Sequence, residues 1–249
     1  MHRCIFRSYR ATIVLVLASA PLRALGAQWE AVAILPGGEG SSIETSPARP
    51  GFALIARKDG ATHSADAGFS WQEIDYGVQY GLDQLSAHPT DPTRWLATSP
   101  IGCRRSVNGG RTWFYVKLTD SIYEEGCLAV EFDPSLPGRA FAVADLAFFG
   151  DELCRTTNSG LGWQVLPMDL DCCAELHCLW ETGTLLVNAW TGVDRSTDAG
   201  ENFTRVSNVP IWSLSGCKSQ PDVVWGVDPA AVWRSVDEGV SWTALAPPV

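Results

Sequence analysis

One eight-residue phrase, S/T-x-D/N-x-G-x-x-W/F, occurs five times along this 249-residue chain. It runs from Ser64 to Trp71, Ser106 to Trp113, Thr156 to Trp163, Ser196 to Phe203 and Ser235 to Trp242. Successive copies begin 42, 50, 40 and 39 residues apart. A period near 40 residues in a strand-rich chain is the mark of a propeller or solenoid, whose units bury an apolar face only against a neighbour. Within the phrase, the Asp or Asn can accept hydrogen bonds from the backbone N–H groups that follow it, and the Gly supplies the positive φ that reverses the chain. The third position is Asp66, Asn108, Asn158, Asp198 and Asp237. A neutral amide serves in two copies, so the group works as a backbone acceptor; a metal ligand or general acid would need the ionisable form.

Around each phrase the chain repeats a four-strand plan. Alternating segments at 42–45, 83–86, 129–132, 176–179 and 212–215 lead, usually through a Pro-bearing turn, into apolar runs at 52–56, 95–97, 140–144, 185–189 and 223–227. Continuous apolar character over so few residues fits a strand covered on both faces. A third segment enters the phrase, and a fourth begins at its aromatic residue. Four antiparallel strands repeated five times predict an all-β fold, a β-propeller of about five four-stranded blades, with helical content near zero. Trp29 to Val32 reads as a further fourth strand with no phrase before it, which makes an incomplete six-bladed ring the alternative.

The sets Asp66, Gly68, Trp71; Asn108, Gly110, Trp113; Asn158, Gly160, Trp163; Asp198, Gly200, Phe203; and Asp237, Gly239, Trp242 resemble the Asp-box, or bacterial neuraminidase repeat. That motif belongs to sialidase-like, sortilin-type and photosystem II assembly factor-like propellers, and the resemblance implies that each phrase links the third and fourth strands of a blade. It implies little about activity, because the scaffold hosts unrelated functions. Sialidases carry an arginine-bearing F/Y-R-I-P segment and a Tyr nucleophile paired with Glu. This chain has no such segment, and Tyr76, Tyr80, Tyr115 and Tyr123 stand in no recognisable setting. No catalytic residue is assigned. A non-catalytic module is expected ahead of a glycoside hydrolase acting through loop carboxylates such as Glu124, Glu125, Asp151, Glu152, Asp169 and Asp171.

Residues 1–27 read as a signal peptide: Arg3, Arg7 and Arg10 precede an apolar stretch at 11–20, and Ala24, Gly26 and Ala27 suit cleavage. The stretch is too short to span a bilayer. Residues 28–249 are then expected to form a single propeller domain, secreted, periplasmic or at the cell surface, with no membrane span. Removing the leader takes four of the 18 basic residues and no acidic one, moving the net charge from −10 to −14. Such a surface repels nucleic acid and anionic membranes.

Export favours disulfides among Cys103, Cys127, Cys154, Cys172, Cys173, Cys178 and Cys217, an odd number that leaves one thiol over. The run from Asp171 to Cys178 holds three thiols and His177 at a spacing that matches no common zinc pattern, so neither metal nor cofactor is expected. Trp180, Trp190 and Trp212 lie outside the phrase and suit stacking on a sugar, with burial between blades as the plainer alternative. The residue before each phrase is His63, Arg105, Arg155, Arg195 or Arg234; the arginines suit either an anion-binding ring or pairing with acids along a strand face. The expected ligand is a protein or surface glycan at one mouth of the ring, where loops from all blades converge.

Overall fold

The computed structural model describes residues 40–74, 81–121, 126–146, 150–170, 175–209 and 211–245. They form twenty strands and no helix, arranged in five four-stranded antiparallel sheets as a five-bladed β-propeller. Blade 1 comprises β1 (Gly40–Thr45), β2 (Ala53–Arg57), β3 (Gly60–Ser64) and β4 (Gln72–Ile74). Blade 2 comprises β5 (Leu85–Ala87), β6 (Trp95–Ser99), β7 (Gly102–Ser106) and β8 (Phe114–Val116). Blade 3 comprises β9 (Gly126–Phe132), β10 (Ala140–Asp145), β11 (Asp151–Thr156) and β12 (Gln164–Leu170). Blade 4 comprises β13 (Glu175–Cys178), β14 (Leu185–Ala189), β15 (Gly192–Ser196) and β16 (Thr204–Ser207). Blade 5 comprises β17 (Ser213–Cys217), β18 (Gln220–Val227), β19 (Val232–Ser235) and β20 (Thr243–Leu245). First strands of successive blades meet one another, so they surround the axis. The leader at 1–27 and the extra strand at Trp29 to Val32 lie outside the described residues.

Each repeated phrase folds into one turn between the third and fourth strands. Its opening hydroxyl does more than the sequence suggested. Ser64 Oγ donates to Asp66 Oδ1 (2.8 Å) and accepts from the Gly68 N–H (2.8 Å), while Asp66 Oδ1 accepts from the Ser70 N–H (2.8 Å). The Trp71 indole then donates to the Gly68 carbonyl (3.0 Å). The hydroxyl to glycine bond recurs at Ser106, Thr156, Ser196 and Ser235, all essentially inaccessible to solvent. Asn108 and Asn158 accept from following N–H groups as the aspartates do, which is why an amide serves there. Two successive left-handed residues make the bend. Ala67, Ser159, Ala199 and Glu238 take φ of 57 to 61°, and the glycine after each takes 81 to 90°.

The apolar runs are the second strands, and β2, β6 and β14 are buried at every residue. Leu54, Leu96, Phe141 and Leu186 hold equivalent places there, each opposite the basic residue that precedes the turn: His63, Arg105, Arg155 and Arg195. All four apolar side chains are 0% exposed. Each projects onto the turn glycine of the next blade. A Cβ added at Gly110 would lie 2.6 Å from Leu54, at Gly160 2.9 Å from Leu96, at Gly200 3.5 Å from Phe141 and at Gly239 2.8 Å from Leu186. The glycine thus serves two needs, positive φ and room for the neighbour's side chain. Four apolar cores follow, one at each junction from blades 1 and 2 to blades 4 and 5.

Disulfides are not formed among the described cysteines. Strand alternation sends Cys103, Cys127 and Cys154 into the core between blades 2 and 3, and Cys178 into the core between blades 3 and 4. They pack there as small apolar side chains, while Cys217 is an exposed thiol on β17. Burial pushes the Cys178 thiol well above its ordinary pKa. Cys172 and Cys173 lie outside the described residues.

Candidate functional site

The basic residues that precede the turns act between blades. Arg105 Nε donates to the Ser159 carbonyl (2.7 Å), Arg155 Nη1 to the Ala199 carbonyl (2.8 Å) and Arg195 Nε to the Glu238 carbonyl (3.0 Å). Each target is the first left-handed residue of the next blade's turn, whose carbonyl no strand partner takes. Arg155 and Arg195 also pair with Glu201 (2.8 Å) and Glu238 (3.0 Å) of that turn. These three arginines are clamps at successive junctions. His63 instead stacks on Phe52, and burial lowers its pKa. Arg234 lies with its guanidinium 5.4 Å above the Trp225 ring.

The propeller has two unlike ends. One carries the five repeated turns; the other carries the hairpins between second and third strands and the crossings between blades. Trp180 sits at the turn end, half-buried, with Lys218 Nζ 5.7 Å from its ring. Trp190 and Trp212 sit at the hairpin end, on neighbouring blades, and are 63% and 50% exposed. Trp190 occupies the β14–β15 hairpin tip, and Trp212 immediately precedes β17. The crossing between them is pinned by the Ile211 N–H donating to Asn188 Oδ1 (3.3 Å). Beside Trp212 is an open depression of about 310 Å³ lined by Trp212, Val227, Asp228 and Pro229. Asp228 is fixed by bonds from the Ala230 and Ala231 N–H groups and from the Trp233 indole (2.7 Å), which hold its carboxyl below the usual range.

Around the axis lies a polar row that the repeat pattern did not disclose. The first-strand residues opposite Leu54, Leu96, Phe141 and Leu186 are Glu44, Ser86, Glu131 and His177; in blade 5 the equivalent is Ser215, opposite Trp225. His177 Nδ1 lies 3.3 Å from Glu131 Oε1. Glu175, two residues before His177, accepts from Ser213 Oγ and from the Leu214 N–H (both 3.1 Å). Gln84 and Ser86 accept the Val130 and Phe132 N–H groups in the same manner, so the row joins neighbouring blades. Burial, reinforced by the Glu131 charge, raises the Glu44 pKa to about 8. Glu175 rises to about 7, because burial outweighs its hydrogen bonds. For His177, burial opposes protonation, but Glu131 and Glu175 outweigh it and the pKa is raised. Glu44 and Glu175 therefore hold their protons closer to neutrality than a carboxyl group in water does.

The acidic residues read as loop carboxylates need correction. Asp151 and Glu152 lie in β11, and Asp169 lies in β12, because those strands stay paired beyond the usual blade length. Glu124, Glu125, Asp171, Tyr76, Tyr80 and Tyr123 lie outside the described residues. Tyr115 is half-exposed on β8 beneath the Arg104 guanidinium. Among the described residues, no group of three or more His, Cys, Asp or Glu is disposed to hold a metal ion. No described helix is long and apolar enough to cross a membrane.

No protein-family model matches the chain, and no curated protein matches it. Solved β-propellers do. An ancestral GH74 enzyme is 17% identical with a TM-score of 0.68, over 84% of this chain and 31% of its own. The Nidogen/Laminin complex is 9% identical with a TM-score of 0.68, over 88% and 84%. YCF48 from Cyanidioschyzon merolae is 14% identical with a TM-score of 0.54, over 85% and 86%. The chain spans about a third of the length of the GH74 structures it resembles. At such identities the shared property is the β-propeller fold.

Proposed function

We propose that this chain is an exported, non-catalytic Asp-box propeller that binds a surface glycan at its hairpin end. The observation that carries this reading is the pair Trp190 and Trp212, both exposed at the hairpin end of adjacent blades, with the depression at Asp228 beside Trp212. Indole faces stack on the apolar side of a sugar ring, and a fixed carboxylate orients its hydroxyls. The basic and apolar run at 1–27 supports export, and the hydroxyl–Asp/Asn–Gly hydrogen bonding of all five turns supports the Asp-box reading. The arginines are left out of the ligand site because three of them already clamp blades.

A glycan array tests the proposal. Binding that falls at least tenfold in Trp190→Ala and Trp212→Ala is the expected result; binding unchanged in both sinks it. One observation favours a second reading, a glycoside hydrolase: carboxyl groups held protonated near neutral pH, as at Glu44 and Glu175, are what a general acid requires. Turnover of any chromogenic glycoside, lost in Glu44→Gln or Glu175→Gln, would replace the binding reading with that one.

A further inference from the structure

The depression beside Trp212 offers a ligand an acceptor and a negative charge but few donors. Of the residues that line it, Trp212, Val227, Asp228 and Pro229, the one with a charged side chain is Asp228. That carboxylate forms no ion pair among the described residues. Its Oδ1 accepts from the Ala230 and Ala231 N–H groups (2.6 and 2.7 Å), and its Oδ2 accepts from the Trp233 indole (2.7 Å). A carboxylate has about four lone-pair sites, so Oδ2 keeps one for a ligand. The backbone donors of Trp212 and of the loop from Asp228 to Ala231 are spent inside the protein. The Trp212 N–H donates to the Val227 carbonyl (2.7 Å) and the Asp228 N–H to the Ala231 carbonyl (3.1 Å), the next two N–H groups serve Asp228, and Pro229 has none. An anionic ligand meets a like charge there, whereas a cationic donor meets a charged acceptor beside an indole.

We propose that this depression binds an amino sugar through its free ammonium group, with Asp228 Oδ2 as the acceptor and Trp212 against the sugar ring. The inference rests on the glycan-binding reading above and narrows its ligand to glycans with unsubstituted amines, excluding uronates, sialates and sulfated chains. An ammonium brings three N–H donors and a charge, where a hydroxyl or an N-acetyl group brings one donor and no charge. The bonds that fix Asp228 also hold its carboxyl below the usual range, so it stays ionised wherever the amine is charged. The volume of about 310 Å³ lies at the lower end of small-molecule sites, in keeping with one sugar ring. The chain's net charge of −10 draws an oligomer of such sugars towards the surface.

Calorimetric titration of the full chain with glucosamine oligomers, their fully N-acetylated counterparts, oligogalacturonates and lysine oligomers of matched charge tests this. Glucosamine oligomers are expected to bind about fivefold or more tighter than the N-acetylated series, with that preference lost at high salt. Lysine oligomers are expected to bind more weakly, having the ammonium groups but no sugar ring, and oligogalacturonates not at all. Asp228→Asn keeps an acceptor for the loop N–H groups and is expected to bring the two glucosamine-based series within about twofold of each other. The salt series needs no variant, so it stands even where Asp228→Asn misfolds. Equal affinity for the amino and N-acetylated series, or a preference that survives high salt or Asp228→Asn, overturns the inference and leaves the glycan reading in place. Binding of oligogalacturonates does the same. Lysine oligomers that bind as tightly as glucosamine oligomers overturn it too, by showing that charge alone is recognised. If no glycan binds, both readings fall.

Discussion

Blades 4 and 5 share a four-strand plan and an identical turn, yet blade 4 is covered on both faces and blade 5 on one. Every residue of β14 is buried, whereas β18 mixes buried and exposed positions along its length. The difference does not come from composition, since Leu185 to Ala189 and Val223 to Val227 are both largely apolar. It comes from surroundings: Leu186 projects onto Gly239 of the next blade and is 0% exposed, whereas Trp225 at the equivalent place is 42% exposed. An apolar run in a repeat protein therefore reports what the repeat is built to meet, whether or not the structure supplies it.

The sharpest way to break this comparison is to truncate the same place at a filled and an open junction. Phe141→Ala, between blades 3 and 4, should cost about 3–5 kcal/mol in urea unfolding, the range for large buried aromatics. Trp225→Ala should cost less than about 1.5 kcal/mol, being partly exposed already. Equal losses would show that the blade 5 flank is covered in solution.

The axial row offers a second contrast, because blade 4 contributes Glu175 and His177 where blade 5 contributes Ser213 and Ser215. Glu175 has a folded pKa near 7 against an ordinary 4.5, so the folded state keeps a proton that the unfolded state releases. Stability from this group is full below about pH 4.5 and is lost as pH rises through 7. Glu44, raised to about 8, and His177, also raised, act in the same direction. Unfolding free energy should fall by about 3–6 kcal/mol between pH 5 and 8. Glu175→Gln should reduce that slope without abolishing it; a slope of the opposite sign would show that the row is ionised in the fold.

Smaller effects refine the picture. Arg155→Ala should cost about 1–2 kcal/mol, since it leaves the Ala199 carbonyl and Glu201 without their partner, whereas Arg234→Ala should be close to neutral. Ser196→Ala and Ser235→Ala should each cost about 1–3 kcal/mol by stranding a buried glycine N–H. Similar values for the two would show that the turn is indifferent to whether its blade is flanked on one side or both. Ala199→Gly should gain up to about 1 kcal/mol, by relieving a Cβ held at positive φ. Chemical denaturation reads all of these.

The blades were legible in the sequence because their signals are local: a turn phrase of eight residues and an apolar run a few residues upstream. The role of the opening hydroxyl was present in all five copies as Ser or Thr, but its partner is a backbone N–H, which leaves no trace in residue type. The axial row was harder. Glu44, Glu131 and His177 stand more than forty residues apart, and only the strand register shows that they share a slot. Counting back from the basic residue before each turn does not find it, because the spacing from Arg155 to Glu131 and from Arg195 to His177 departs from that in the other blades. The cysteines misled because export argues for pairing, whereas strand alternation had already directed Cys103, Cys127 and Cys154 into an apolar core.

The bond that the glycine N–H donates to the opening hydroxyl closes over five residues and draws on nothing outside its own phrase. Each bend can therefore organise as soon as its segment leaves the ribosome, before the following sheet exists. Synthesis then sets up a series of ready corners, and the later work of folding is to slide each finished sheet against the one made before it.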